Sequence, residues 1–210
     1  MKPASENFTS RAMIVSVAVV LIADALTGKA ALAHTGDLNL HTPAGGFLSG
    51  FTHPLFGWDH VAAMVAVGLW GAFLGTPALW ILPVVFPLIM AVGGALGVLG
   101  VPLPAVETGI AVSAVVLGAL IAFAVRAPLW IAALIVGTFA VFHGHAHGTE
   151  LPRAVNPAVY AAGFVVATGL LHLLGLGVGL AANRPAGAIA VRVGGALIAG
   201  AGIAFLTGIL

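Results

Sequence analysis

The chain has 210 residues, of which 61% are hydrophobic and only 6% charged, with a formal net charge of +1 and a mean hydropathy of +1.18. A soluble domain carries about 25% charged residues, so this composition cannot build a water-facing surface and the solvent is lipid. With near-zero charge and no basic run nucleic-acid binding has no support, and with no cysteine disulfides, thiolate metal sites and thiol catalysis are excluded.

In chain order, the N-terminus reads as a secretory signal. Lys2 and Arg11 are basic, Ala12 to Ala23 is apolar, and Ala31-Leu32-Ala33 has the small-residue pattern of a cleavage site. The expected organisation is a signal over 1–33 and a membrane domain over 34–210, beginning at His34. Six apolar segments follow, at 53–74, 78–99, 105–125, 129–147, 156–180 and 188–209, each near the ~20 residues that a spanning helix needs. Proline and glycine mark the joins, as at Gly75-Thr76-Pro77, Ala127-Pro128, Asn156-Pro157 and Arg184-Pro185. The expected fold class is therefore all-α, polytopic, with six transmembrane helices after a cleaved signal peptide. Gly71/Gly75, Gly93/Gly97 and Gly175/Gly179 have the GxxxG spacing of close helix packing.

A cleaved signal leaves the new N-terminus outside, and six spans return the C-terminus to the same side. Arg126, Arg184 and Arg192 then fall inside and only Arg153 outside, as the positive-inside rule requires. The expected location is the bacterial inner membrane, both mature termini periplasmic.

Ionisable residues in a bilayer cost about 2.5–3.5 kcal/mol each on insertion scales, so those within the spans need a reason. The first group is His53-Pro54-Leu55-Phe56-Gly57-Trp58-Asp59-His60. On one helix starting near His53, with Pro54 in its first turn, the two histidines share a face two turns apart. Asp59 points elsewhere, and serves either by unwinding at Gly57 or by orienting a histidine ring. The second group is Phe142-His143-Gly144-His145-Ala146-His147-Gly148-Thr149-Glu150. His143, His147 and Glu150 share one helical face, offering two imidazoles and a carboxylate to a divalent ion. His145 lies opposite, and joins them only if the helix opens at Gly144 and Gly148. Glu107 opens the third span, where an acid also suits a helix N-terminus. His172 lies deep in the fifth span, and His34 would pair its imidazole with a free α-amine. Imidazole and carboxylate admit Ni, Zn, Cu, Fe or Co without choosing among them.

The stretch His53-x5-Asp59-His60 resembles the H-x5-D-H signature of the HupE/UreJ family. Phe142 to Glu150 is similar to that family's second signature, F-H-G-x-A-H-G-x-E, in which His145 stands at the variable position. Pro104 to Glu107, Ser113, Gly163-Phe164, Thr168 and His172 also resemble family positions. The resemblance implies a six-span nickel permease, accessory to hydrogenase or urease and not an enzyme. By position it implies His53, Asp59, His60, Glu107, His143, His147 and Glu150 as functional residues.

The expectation is then a permease importing Ni2+, with Co2+ or Zn2+ as alternatives. Its metal residues are His53, Asp59, His60, His143, His145, His147 and Glu150, with Glu107, His172 and His34 on the path or behind the ligands. Its partners are the ion and the bilayer, with no organic cofactor. The rival readings are a membrane-embedded metal hydrolase and a non-transporting metal- or haem-binding protein.

Overall fold

The computed structural model describes residues 42–151, 155–180 and 185–209, all in one unit, Asn39–Leu210. The expected signal segment 1–33, His34, His41, Arg153 and Arg184 lie outside the described residues. Within them the chain is all-helical. There are seven helices and no strand: α1 Pro43–Phe56, α2 Trp58–Leu74, α3 Ala78–Val98, α4 Val106–Ala122, α5 Leu129–Thr149, α6 Pro157–Leu180 and α7 Pro185–Leu206. By length and composition α3, α5, α6 and α7 can cross a membrane, and α1 with α2 can do so together as one broken span. The apolar α4 has 17 residues, about 25 Å at 1.5 Å per residue. It stops short of the expected 105–125 because the chain leaves the helix at Phe123 and Ala124 turns left-handed, with φ 54°.

The first segment departs most from the sequence reading. His53 does not open a helix, and Pro54 lies inside one. The helix begins ten residues earlier, where the Thr42 hydroxyl accepts the Gly45 N–H at 3.1 Å and Pro43 fills the first helical position. A capping threonine before proline is a strong start signal, and it lies ahead of the expected 53–74 segment. The helix then stops at Gly57, extended at φ −88° and ψ 109°, and α2 leaves at 80° to α1.

Hydrophobic burial does not drive helices together in lipid, so close backbone approach must supply the contact. Glycines mark each such approach. A Cβ on Gly93 or Gly97 of α3 would run into the Val141 or His145 carbonyl of α5, and one on Gly144 or Gly148 of α5 into the Met90 or Gly94 carbonyl of α3. Gly68 and Gly175 join α2 to α6 in the same way, Gly50 and Gly163 join α1 to α6, and Gly118 and Gly195 join α4 to α7. Two of the GxxxG pairs thus sit in helix contacts. Gly71/Gly75 does not: Gly75 ends α2 at φ 79°, with nothing near the place a Cβ would take.

Met64, Val67, Trp70, Leu82, Phe86, Leu117, Ile121 and Val136 fill the interior. Trp80, Val84, Leu88 and Val92 form an exposed stripe along α3, and Ile189, Val193 and Leu197 one along α7. Continuous apolar stripes of this kind face lipid, not water, so the chain is a membrane protein. Polar contacts gather at one end. There Arg192 Nε donates to the Ala122 carbonyl at 2.8 Å, Trp70 Nε1 donates to the Val125 carbonyl at 3.1 Å, and Arg126 lies 4.9 Å over the Phe73 ring. The histidine groups lie toward the other end, near Glu150.

Candidate metal centre

The break at Gly57 brings the first group together. Two residues seven apart on a straight helix are separated by about 10.5 Å of rise. The bend reduces this, so that the His53 and His60 ring centroids are 5.7 Å apart. Gly57 is favoured for space, not for its φ: a Cβ there would crowd the pair, 3.0 Å from His60 Nδ1 and 3.1 Å from Asp59 Oδ1. Of the two roles read for Asp59, its contacts fit the orienting one. Asp59 Oδ1 accepts from the His60 backbone N–H at 2.8 Å and from His60 Nδ1 at 2.6 Å. A carboxylate that accepts a hydrogen bond from Nδ1–H leaves the His60 Nε2 lone pair free, and this is how metal-binding histidines are commonly held.

The second group stays in one unbroken helix, with its last turn ending at Glu150. His143 and His147 point inward. The His147 ring lies 4.5 Å from that of His60 and 4.8 Å from that of His53, and the His143 ring lies 5.5 Å from that of His60. His53, His60 and His147, from α1, α2 and α5, each offer one ring nitrogen within 4.8 Å of the other two. His53 Nε2 also lies 3.8 Å from Glu150 Oε2.

The hydrogen bonds fix the protons. His143 Nδ1 meets the Phe139 carbonyl at 3.0 Å. A carbonyl only accepts, so Nδ1 carries the hydrogen and Nε2 is a bare lone pair. His60 Nε2, His143 Nε2 and both nitrogens of His147 are buried without a hydrogen-bond partner. Buried polar atoms are nearly always paired, and each orphan costs about 1–3 kcal/mol. Buried, unpaired nitrogens on His60 and His147, two of the three residues whose ring nitrogens lie within 4.8 Å of one another, are what a cation site needs and what a packed interior avoids.

His145 is not brought to this cluster. Opening at Gly144 and Gly148 does not occur, because both glycines carry the backbone contact with α3. His145 Nε2 instead donates to the Val101 carbonyl at 2.7 Å and ties down the 99–105 connection. Glu107 stands exposed in the first turn of α4 and shares a cavity of about 170 Å³ with Asp59, Ile110, Ala111 and Phe205. Glu150 is half-exposed, and burial first, then the Glu107 carboxylate, hold its proton above the ordinary value of 4.5. The carboxylates of Asp59, Glu107 and Glu150 thus gather at the end of the molecule where the cluster opens. His172 lies deeper, 1% exposed.

Aromatic walls complete the site. The Phe164 ring is 4.2 Å from His147, Tyr160 is 6.2 Å from His53, and Phe86 is 5.5 Å from His143. Phe164 lay among the positions singled out by resemblance. Phe86 and Tyr160 did not, and an aromatic in an apolar helix carries no signal that separates wall from core.

The model of the HupE / UreJ protein family matches residues 20–205. Protein HupE of Rhizobium leguminosarum bv. viciae is 49% identical over 176 residues, which is 84% of this chain and 90% of that protein. No solved structure matches.

Proposed function

The chain belongs to the HupE/UreJ family, and from that membership and the histidine cluster we propose that it is a permease carrying a divalent transition-metal ion into the cell, Ni2+ before Co2+ or Zn2+. In this reading it serves the hydrogenase or urease that the family assists, and it is not itself an enzyme. One observation carries the proposal: ring nitrogens of His53, His60 and His147, from three separate helices, converge within 4.8 Å in the interior of a lipid-facing bundle. Imidazole with carboxylate, and no thiolate, suits nickel and its neighbours in the first transition row.

The mechanism follows from the residues in order of depth. Glu107, Glu150 and Asp59 raise the local cation concentration at the mouth. The ion exchanges water for the nitrogens of His53, His60 and His147, with Glu150 close enough to His53 to add an oxygen. Asp59 fixes the His60 ring and strengthens it as a donor. His143, with its bare Nε2, is the next nitrogen inward. For topology, we take α1 and α2 as one broken span and α4 as a short one. That gives six spans, with the Glu150 end outside and the Arg126 end at the cytoplasm of a bacterial inner membrane.

Uptake into proteoliposomes tests this. Wild-type protein should accumulate Ni2+ in preference to Co2+ and Zn2+, and Asp59→Ala and His60→Ala should not. Wild-type uptake no faster than that of the two variants would overturn the reading.

A further inference from the structure

Beyond the three-histidine site lies a second set of buried polar atoms without partners. His172 of α6 is 1% exposed, and neither ring nitrogen makes a hydrogen bond. Thr168 is one turn nearer the cluster on the same face, fully buried, and its Oγ1 is also unpaired. A helical threonine ordinarily returns its hydroxyl to a carbonyl three or four residues back. Thr138, Thr149 and Thr207 do so here, and Thr168 does not. Opposite them α3 carries Pro83 and Pro87. Pro87 has no N–H, so the Pro83 carbonyl is denied the helical bond from four residues on. That carbonyl lies near the His172 ring without making a hydrogen bond to it. An imidazole, a hydroxyl and a freed carbonyl are thus held deep in the bundle. There unpaired polar atoms are most costly, and leucine would pack without penalty.

One ring separates this set from the first. Phe86 is fully buried, with its centroid 5.5 Å from His143 and 5.4 Å from His172. The order inward is therefore His60, His143, Phe86, His172.

We propose that His172, with the Pro83 carbonyl and the Thr168 hydroxyl, forms a second, inner station for the divalent ion, reached from the three-histidine site through His143 and past the Phe86 ring. The proposal rests on the permease reading and deepens it. A bare divalent ion deep in a low-dielectric interior faces a large desolvation penalty, and a ligand halfway divides it. The inner station offers one nitrogen, neutral oxygens and no carboxylate, so it holds the ion less tightly than the outer one. Transport needs that gradient, because an ion held most tightly at the last step would not leave.

The test uses purified full-length protein, with Ni2+ and Cd2+ as probes. His172→Ala should keep Ni2+ binding at the outer site within about twofold while uptake falls roughly tenfold or more, the scale seen when a group supporting metal handling is removed. His172→Cys supplies a soft thiolate, and it should raise the ratio of Cd2+ to Ni2+ uptake at least about fivefold over wild type. The chain has no cysteine of its own, so that change belongs to position 172. A merely structural histidine would not move the ion preference. If His172→Ala is not recovered folded, the His172→Cys ratio against wild type decides alone. Wild-type uptake by His172→Ala, or an unchanged ratio in His172→Cys, would overturn the inner station. Failure of the permease reading looks different: the wild type itself would take up no more Ni2+ than His60→Ala.

Discussion

The two histidine-bearing segments have similar ingredients and opposite local structures. Each holds histidines, an acid and glycine within a few residues. Around Gly57 the helix breaks and turns by 80°, and through Gly144 and Gly148 it runs straight on. What differs is the neighbour of each glycine. The space beside Gly57 is taken by its own Asp59 and His60 side chains, whereas the space beside Gly144 and Gly148 is taken by the backbone of α3. A glycine among polar residues can therefore be a hinge for a site or a seat for another helix. The first brings His53 to His60. The second keeps His145 turned away and aligns His143 with His147.

That contrast gives a graded set of expectations. The largest effect belongs to the ligands at the convergence point: His147→Ala should lower Ni2+ affinity by more than about a hundredfold, beyond the 10–100-fold typical of supporting groups, as measured by equilibrium binding to purified protein. Next is the orienting carboxylate. Asp59→Asn should cost about 10–100-fold in affinity and leave the fold intact by circular dichroism. Equal losses at Asp59 and His147 would make Asp59 a direct ligand.

The straight segment should fail through packing instead. Gly144→Ala must push α3 from α5 and should destabilise the protein by about 1–3 kcal/mol, the usual penalty of overpacking, as read by thermal unfolding in detergent. If stability is unchanged while metal binding is lost, the glycine acts as a hinge after all. A smaller effect is expected from acid. Because its proton is held above the ordinary 4.5, Glu150 loses its charge at a higher pH than a free glutamate. Acidifying the outside should therefore slow uptake, as imidazole and carboxylate ligands are lost to protons. Glu150→Gln should have slower uptake at neutral pH and a flatter acid limb. The smallest effect is at His145. His145→Ala removes one hydrogen bond to Val101, worth about 1 kcal/mol, and should leave Ni2+ affinity unchanged; a loss like that at His147 would return His145 to the ligands.

Much of the architecture was legible before any coordinates, because hydropathy is a local property. The joins at Gly75-Thr76-Pro77 and Asn156-Pro157 fall where helices end and begin, and Asn156 caps α6 through Oδ1, accepting from Ala158 and Val159. Thr42-Pro43 was legible too. The 53–74 segment does not include it, because ten residues rich in glycine separate Thr42 from His53. The histidines also announced themselves, since ionisable groups in a membrane need a reason. Phe86 and Pro83 did not: a ring between two histidines and a carbonyl freed by a proline four residues on look like any other part of an apolar helix.

Side-chain polarity and spacing along one chain were enough to establish a helical membrane protein, the course of most of its helices after Gly75, and which side chains carry chemistry. Tertiary structure alone decided which of those side chains meet. Convergence of His53, His60 and His147 depends on an 80° turn and on the approach of α5. The exclusion of His145 depends on where α3 lies against two glycines. Contact between helices is set by the fit of one surface against another, and spacing along a single helix does not contain it.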